Sequence, residues 1–343
     1  MEFHARANET CGACQQPIPV GERITWNRKT GQKFHPGCVQ EPAKPARTSA
    51  PKETLNKLIE ELLVGVQEEQ VRRIVQEEMG SLNIIEVRTP DSVKLIDGVH
   101  ERFEKLLYLI GLRHHVYLYG PPGSGKSTAA RQCAESLEWH YGYISLNPQT
   151  PDSRLLGYMD ATGNYRPTLF RQIYEGGGVF CIDELDNASA SLLTTLNSAL
   201  ENGHGAFPDG LVERHANFVL VATGNTAGYG GNPAFPERRP FDAAFAERFT
   251  YLEWNYDESL EKRIALQYNP EAIQWILWVK QLREWAKVNF PRLIVSPRAT
   301  FKLALYSKDN ALTPNEMVDS AVFRGISKDV RDKALSSCPL PKG

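Results

Sequence analysis

The chain has 343 residues, enough for two or three domains with a sizeable core. Charged residues make up 23% and the formal net charge is −2, so no global polyelectrolyte signal points to nucleic acid or acidic lipid, although a local basic surface is compatible with that balance. No apolar run reaches the roughly 18 residues of a membrane helix, and Met1-Glu2-Phe3-His4 does not begin a signal peptide; a cytoplasmic protein with no membrane partner is expected.

The six cysteines are unevenly placed. Cys11, Cys14 and Cys38 cluster, whereas Cys133, Cys181 and Cys338 are scattered and read as packed thiols. Cys11-Gly-Ala-Cys14 followed by His35-Pro-Gly-Cys38 offers four soft ligands in two knuckles, which suits tetrahedral Zn²⁺. So short a segment lacks its own core, and metal binding supplies such a piece with folding free energy. A disulfide would leave one of the three cysteines over and ignore His35. An unstructured N-terminus would ignore the paired spacing. The pattern resembles the first half of a LIM-type or related treble-clef finger over about forty residues. That resemblance implies a binding module closed by four protein ligands, without metal catalysis.

Residues 1–40 are thus a finger, and 41–52, with Pro42, Pro45 and Pro51, have the composition of a linker. Residues 53–80 carry apolar side chains at helical spacing, from Leu55 and Leu58 to Met79, with Gly65 weakening the middle. Helices lying on the next domain fit this better than a coiled coil. A short strand is expected at 81–87 and a helix over 91–112.

Gly120-Pro121-Pro122-Gly123-Ser124-Gly125-Lys126-Ser127 fits G-x-x-x-x-G-K-[ST], a loop whose backbone N–H groups close around phosphates. The strand at 115–119 precedes it and a helix over 127–140 follows, so the phosphates would sit on a helix N-terminus that includes Thr128. Lys126 would reach the β and γ phosphates, and Ser127 would ligate Mg²⁺. Further buried strands are expected at 141–146, 178–183, 218–223 and 249–254, with helices between them, giving a mostly parallel sheet. From 257 onward only helices are expected, at 270–288, 296–307 and 313–335, with Trp275, Trp278 and Trp285 as core.

Two strand ends carry chemistry. Val179 to Ile182 is apolar and ends in Asp183 and Glu184; beside a phosphate loop, Asp183 would hold Mg²⁺ through its water shell and Glu184 would polarise the attacking water. The strand at 218–223 ends near Asn225, whose amide is placed to position that water against the γ-phosphate.

In this order the pieces resemble the AAA+ ATPases over about residues 91–337. The phosphate loop, Asp183-Glu184 and Asn225 correspond to Walker A, Walker B and sensor 1. Ala244 to Phe249 resembles the family's "DRF" segment, with Glu247 in place of the usual Asp, which implies that Arg248 reaches a neighbouring subunit's nucleotide; Arg238 and Arg239 stand behind it as further candidates. Ser296-Pro297-Arg298 resembles sensor 2. The segment 147–177 and the stretch 203–216 are similar to the helix-2 insert and pre-sensor hairpin of the MoxR and cobaltochelatase small-subunit (CobS) group.

The expected fold is therefore an α/β P-loop AAA+ core over 81–255, a five-stranded parallel sheet sandwiched by helices. A C-terminal all-helical lid over 256–343 and the N-terminal zinc module complete it. The resemblance implies ATP and Mg²⁺ as ligands and a homo-oligomeric ring, a hexamer in that family's manner, that remodels a protein partner recruited by the finger. A nucleic-acid motor or McrB-like GTPase and a nucleotide-switched scaffold of negligible turnover are the rivals. Tyr165 and Phe207 are candidate pore-facing grips, with packing the preferred role.

Overall fold

The computed structural model describes residues 3–4, 9–11, 14, 16–18, 23–26, 33–35, 85–88, 93–309 and 311–341. The linker, the amphipathic segment at 53–80 and Cys38 lie outside the described residues. The chain divides into two compact units, Met1–Val75 and Gln76–Gly343.

In the first unit, Arg23–Trp26 pairs antiparallel with both Phe3–His4 and Lys33–Phe34, and Glu9–Thr10 pairs with Pro17–Ile18. The turn after Thr10 carries Cys11 and Cys14, and the Cys11 N–H donates to Gln16 O at 2.8 Å. Cys11 and Ile18 are fully buried.

The second unit begins with an antiparallel hairpin, Ile85–Arg88 against Val93–Ile96. The expected short strand is present, but the helix expected over 91–112 is confined to α1 (Phe103–Gly111). Val93–Ile96 is drawn into the ladder, and Gly98 adopts φ +72°, so the helical spacing starts only at Phe103, Leu106, Leu107 and Ile110, all buried.

The central sheet comprises β1 (Val116–Tyr119), β2 (Tyr141–Ser145), β3 (Gly178–Asp183), β4 (Phe218–Gly224) and β5 (Thr250–Glu253). Its order is β5-β1-β4-β3-β2 and every pairing is parallel. Both faces are covered, so the strands read as continuous apolar runs and the pleat divides them between two cores. Val179, Cys181, Val219 and Val221 face α1 and α2 (Lys126–Leu137). Phe180, Ile182, Leu220 and Ala222 face α3 (Leu169–Gly176) and α4 (Ala190–Glu201). The scattered thiols Cys133 and Cys181 are packed in the first of these cores.

Between β2 and β3 come a short helix, Ser153–Leu156, a hairpin of Tyr158–Met159 with Tyr165–Arg166, and α3. A second hairpin, His204–Phe207 with Gly210–Glu213, follows α4. The packing role holds for both candidate grips. Phe207 is 6% exposed among Phe170, Tyr174 and the Arg171 guanidinium, and the Tyr165 hydroxyl donates to Leu156 O at 2.7 Å.

The lid consists of α5 (Glu258–Tyr268), α6 (Ile273–Asn289), α7 (Pro297–Asp309), α8 (Pro314–Ala321) and α9 (Lys328–Ser337). The stretch 313–335 is two helices rather than one. A capping box of Thr313 and Glu316 starts α8, and Gly325 at φ +73° lies in the turn before α9. Trp275 and Trp278 meet edge to face at 5.9 Å in the lid core, with Trp285 packed against it. Among the described residues no helix is long and apolar enough to cross a membrane.

Candidate nucleotide site and metal cluster

The phosphate loop links β1 to α2. Gly120 is required by close approach, because a Cβ there would lie 2.2 Å from Trp254 O. Gly125, at the N-terminal end of α2, has φ +85°, the left-handed region that glycine enters freely. The loop's carbonyls are taken by side chains. Trp254 Nε1 donates to Ser124 O at 3.1 Å, and the Tyr256 hydroxyl donates to Pro122 O at 3.0 Å. Lys126 Nζ donates to Gly120 O and Pro121 O at 2.9 and 2.8 Å. With carbonyls occupied in this way, the loop's amides remain for an anion.

A cavity of about 420 Å³ opens over the loop at the C-terminal edge of the sheet. It is lined by Lys126, Ser127 and Thr128 from the loop side, by Asp183, Glu184 and Asn225 from the ends of β3 and β4, and by Arg298 from the lid. Arg298 Nε lies 3.7 Å from where a Gly123 Cβ would stand. Burial pushes the Lys126 ammonium down to about 8, against the opposing pull of Asp183 and Asp186. Below about 8 the ammonium keeps its charge, and a polyanionic phosphate would favour that charged form further.

Asp183 accepts from the Tyr143 hydroxyl at 3.1 Å on one oxygen and from the Thr223 hydroxyl on the other. The two hard oxygen donors of Ser127 and Asp183 on one cavity fit a magnesium ion, which retains several waters and takes few protein ligands. Beyond the loop, the buried His100 ring stacks on Trp254 at 4.1 Å. Burial lowers its basicity, Nδ1 accepts the Arg102 N–H at 3.1 Å, and Nε2 donates to Asn255 O at 2.9 Å.

Arg248 does not line this cavity. Its Nε donates to Asn197 Oδ1 at 3.3 Å and its guanidinium pairs with Glu201 at 2.9 Å, with 31% of the side chain exposed. Arg239 is exposed. Arg238 points back into its own chain, 3.6 Å from both Glu184 and Asp186.

Sequence reasoning passed over Asp186, Tyr143, Thr223, Trp254 and Tyr256. Asp186 had a weak signal, a third carboxylate just beyond Asp183-Glu184. It also passed over the pair that stiffens the lid beside the cavity. Arg283 grips Glu261 through both guanidinium ends at 3.0 and 2.7 Å, donates to Val295 O at 2.8 Å, and stacks over Tyr256 at 4.4 Å.

In the first unit, one ligand atom each from Cys11, Cys14 and His35 lies within 4.8 Å of the others, and Cys14 Sγ is 3.5 Å from His35 Nδ1. Hydrogen bonding to the two cysteines raises the His35 basicity. Two thiols and an imidazole so placed are a fitting donor set for zinc.

Residues 115–240 match the family described as AAA domain (dynein-related subfamily). The chain is 28% identical to midasin of Dictyostelium discoideum over 172 residues, 46% of its own length, and spans 3% of that protein. Among solved structures it is similar to a point mutant of RuvB from Thermotoga maritima, with a TM-score of 0.43 and 18% identity over 69% of this chain and 68% of that one. Residues 115–240 of the α/β core are thus similar to an AAA domain.

Proposed function

We propose that the protein is a magnesium-dependent ATPase that works as a ring of identical subunits, hexameric in the MoxR and CobS manner, and remodels a protein partner bound through the N-terminal module. The observation that carries the reading is one cavity in which Lys126, Asp183, Glu184 and Asn225 converge with the lid's Arg298. The phosphate loop and Thr128 would hold the triphosphate, with Lys126 leaving its own loop's carbonyls for the β and γ phosphates. Magnesium, held by Ser127 and Asp183, would neutralise charge on the phosphate oxygens.

Glu184 accepts a proton from the attacking water. The water oxygen forms a bond to the γ-phosphorus as the bond to the β,γ-bridging oxygen breaks, giving ADP and inorganic phosphate. Asn225 orients that water. Arg298 senses the γ-phosphate from the lid, so hydrolysis is felt there as rotation. Arg248, away from its own cavity and partly exposed, is available to a neighbour's nucleotide. An arginine in that role is worth ~10³–10⁵ in turnover. The ring is then a heterologous assembly, each interface completing one site. The finger's zinc, held by Cys11, Cys14, His35 and Cys38, is structural.

Lys126→Ala should abolish nucleotide binding measured by titration, and Glu184→Gln should bind ATP but lose turnover. A wild-type level of hydrolysis by Glu184→Gln would defeat the reading. Mixing Arg248→Ala with Glu184→Gln subunits should recover activity at hybrid interfaces; no recovery argues against a trans arginine.

A further inference from the structure

We propose that Asp186 and Arg238 are positioning residues acting within one chain: Asp186 anchors Arg238, and Arg238 aims the carboxylate of Glu184. The proposal rests on the ATPase reading and adds two residues to it.

The chain leaves β3 sharply, with Glu184 itself at φ +57° and a 3-10 turn over Leu185–Asn187. That turn carries Asp186 into the core, its side chain wholly buried. One oxygen, Oδ2, accepts the Asn225 N–H, the Thr226 N–H and the Thr226 hydroxyl, each at 3.0 Å. The carboxylate therefore ties the turn after β3 to the turn after β4 and fixes the backbone that bears Asn225. Its other oxygen, Oδ1, has no hydrogen-bond partner among the described residues. A buried carboxylate left this way is costly unless a cation stands close.

Arg238 is the cation paired with it, its Nε 3.6 Å from Asp186 Oδ2. The far end of the same guanidinium lies 3.6 Å from Glu184 Oε2. The Arg238 side chain is 11% exposed and lies over the Phe235 ring at 5.7 Å. Asn187 Nδ2 donates to the same Glu184 oxygen at 3.4 Å. Both contacts fall on Oε2, and among the described residues Oε1 makes none, so it is left to accept from water. At 3.6 Å the guanidinium acts by charge rather than by hydrogen bonding, which restrains Glu184 while letting it settle against substrate.

The contact with Glu184, 42% exposed in the cavity, adds little to stability, since such exposed pairs contribute little. The sharing of one guanidinium between a buried anchor and the water-activating acid is what points to aim. It also separates Arg238 from Arg248: one acts on its own chain's acid, the other on a neighbour's nucleotide.

The test measures ATP affinity, KM and kcat for Arg238→Ala, Arg238→Lys and Asp186→Asn, with thermal unfolding as a control on folding. We expect kcat to fall by ~10²-fold or more in Arg238→Ala, ATP affinity to stay within about threefold of wild type, and Arg238→Lys to recover part of the loss by restoring the charge. Adding Arg238→Ala to Glu184→Gln should cost nothing further, because the two act as one unit. Mixing Arg238→Ala with Glu184→Gln subunits should restore no activity, whereas recovery would make Arg238 a trans residue and overturn the proposal. Unchanged kcat in Arg238→Ala while Glu184→Gln is dead would overturn it too, leaving the ATPase reading intact. If Arg238→Ala unfolds, kcat and affinity in Arg238→Lys and Asp186→Asn decide the matter: wild-type kcat in both overturns the proposal. A fully active Glu184→Gln would instead bring down the ATPase reading.

Discussion

The two units hold their ligand groups in opposite ways. In the second, the phosphate loop sits on a finished sheet, its carbonyls pinned by Trp254, Tyr256 and Lys126, so the cavity exists before any nucleotide arrives. In the first, strands of two to four residues surround Cys11, Cys14 and His35, and the described buried side chains are Cys11 and Ile18. The difference is one of size: a large core preorganises a site, whereas under the zinc reading proposed above the small module would need its ligand in order to fold.

Metal removal is the strongest way to break that contrast. Chelation, or Cys11→Ser with Cys14→Ser, should unfold the first unit, since structural zinc supplies on the order of 10 kcal/mol. ATP affinity in the second unit should stay unchanged. Metal analysis finding no zinc in the wild type, or a finger that keeps its amide-exchange protection after chelation, would contradict this.

A smaller effect sharpens the preorganisation claim. Arg283→Ala leaves Glu261 buried without its partner and should cost ~3–5 kcal/mol, read as a lower unfolding midpoint of the lid. Because Tyr256 stacks against Arg283 and donates to Pro122, ATP affinity should fall as well. A destabilised lid with full affinity would show that the lid and the phosphate loop are not coupled.

The smallest effect is a pH dependence. The folded-state pKa of Lys126 is lowered to about 8, so the free protein keeps the charge below that value and loses it above. Phosphate binding requires the charge, so nucleotide binding takes up a proton above about 8 and affinity should weaken there, by up to ~10-fold per pH unit. Calorimetry in buffers of different ionisation heat would reveal the proton uptake; affinity independent of pH across that range would contradict it.

Much of the nucleotide domain was legible because its signals are local. A glycine-rich loop between a strand and a helix, and buried strands ending in Asp183-Glu184 or near Asn225, are patterns set by neighbours in the chain. The strand at 178–183 is present at those bounds, while the helix over 91–112 was too long because hairpin pairing with Ile85–Arg88 claimed Val93–Ile96 and left only Phe103–Gly111 helical. The single helix over 313–335 failed at Gly325, where local backbone freedom outweighed a continuing apolar pattern.

By itself, then, the amino-acid order determined the parallel sheet, the phosphate loop and the soft-ligand spacing of the N-terminus, all of which depend on short-range spacing and burial. Only the tertiary structure decided that Arg238 turns to its own Glu184 while Arg248 rests on α4, and that Glu261 is matched by Arg283. An arginine carries no mark of its partner in the sequence, because its charge is assigned by whichever carboxylate the folded chain brings within reach.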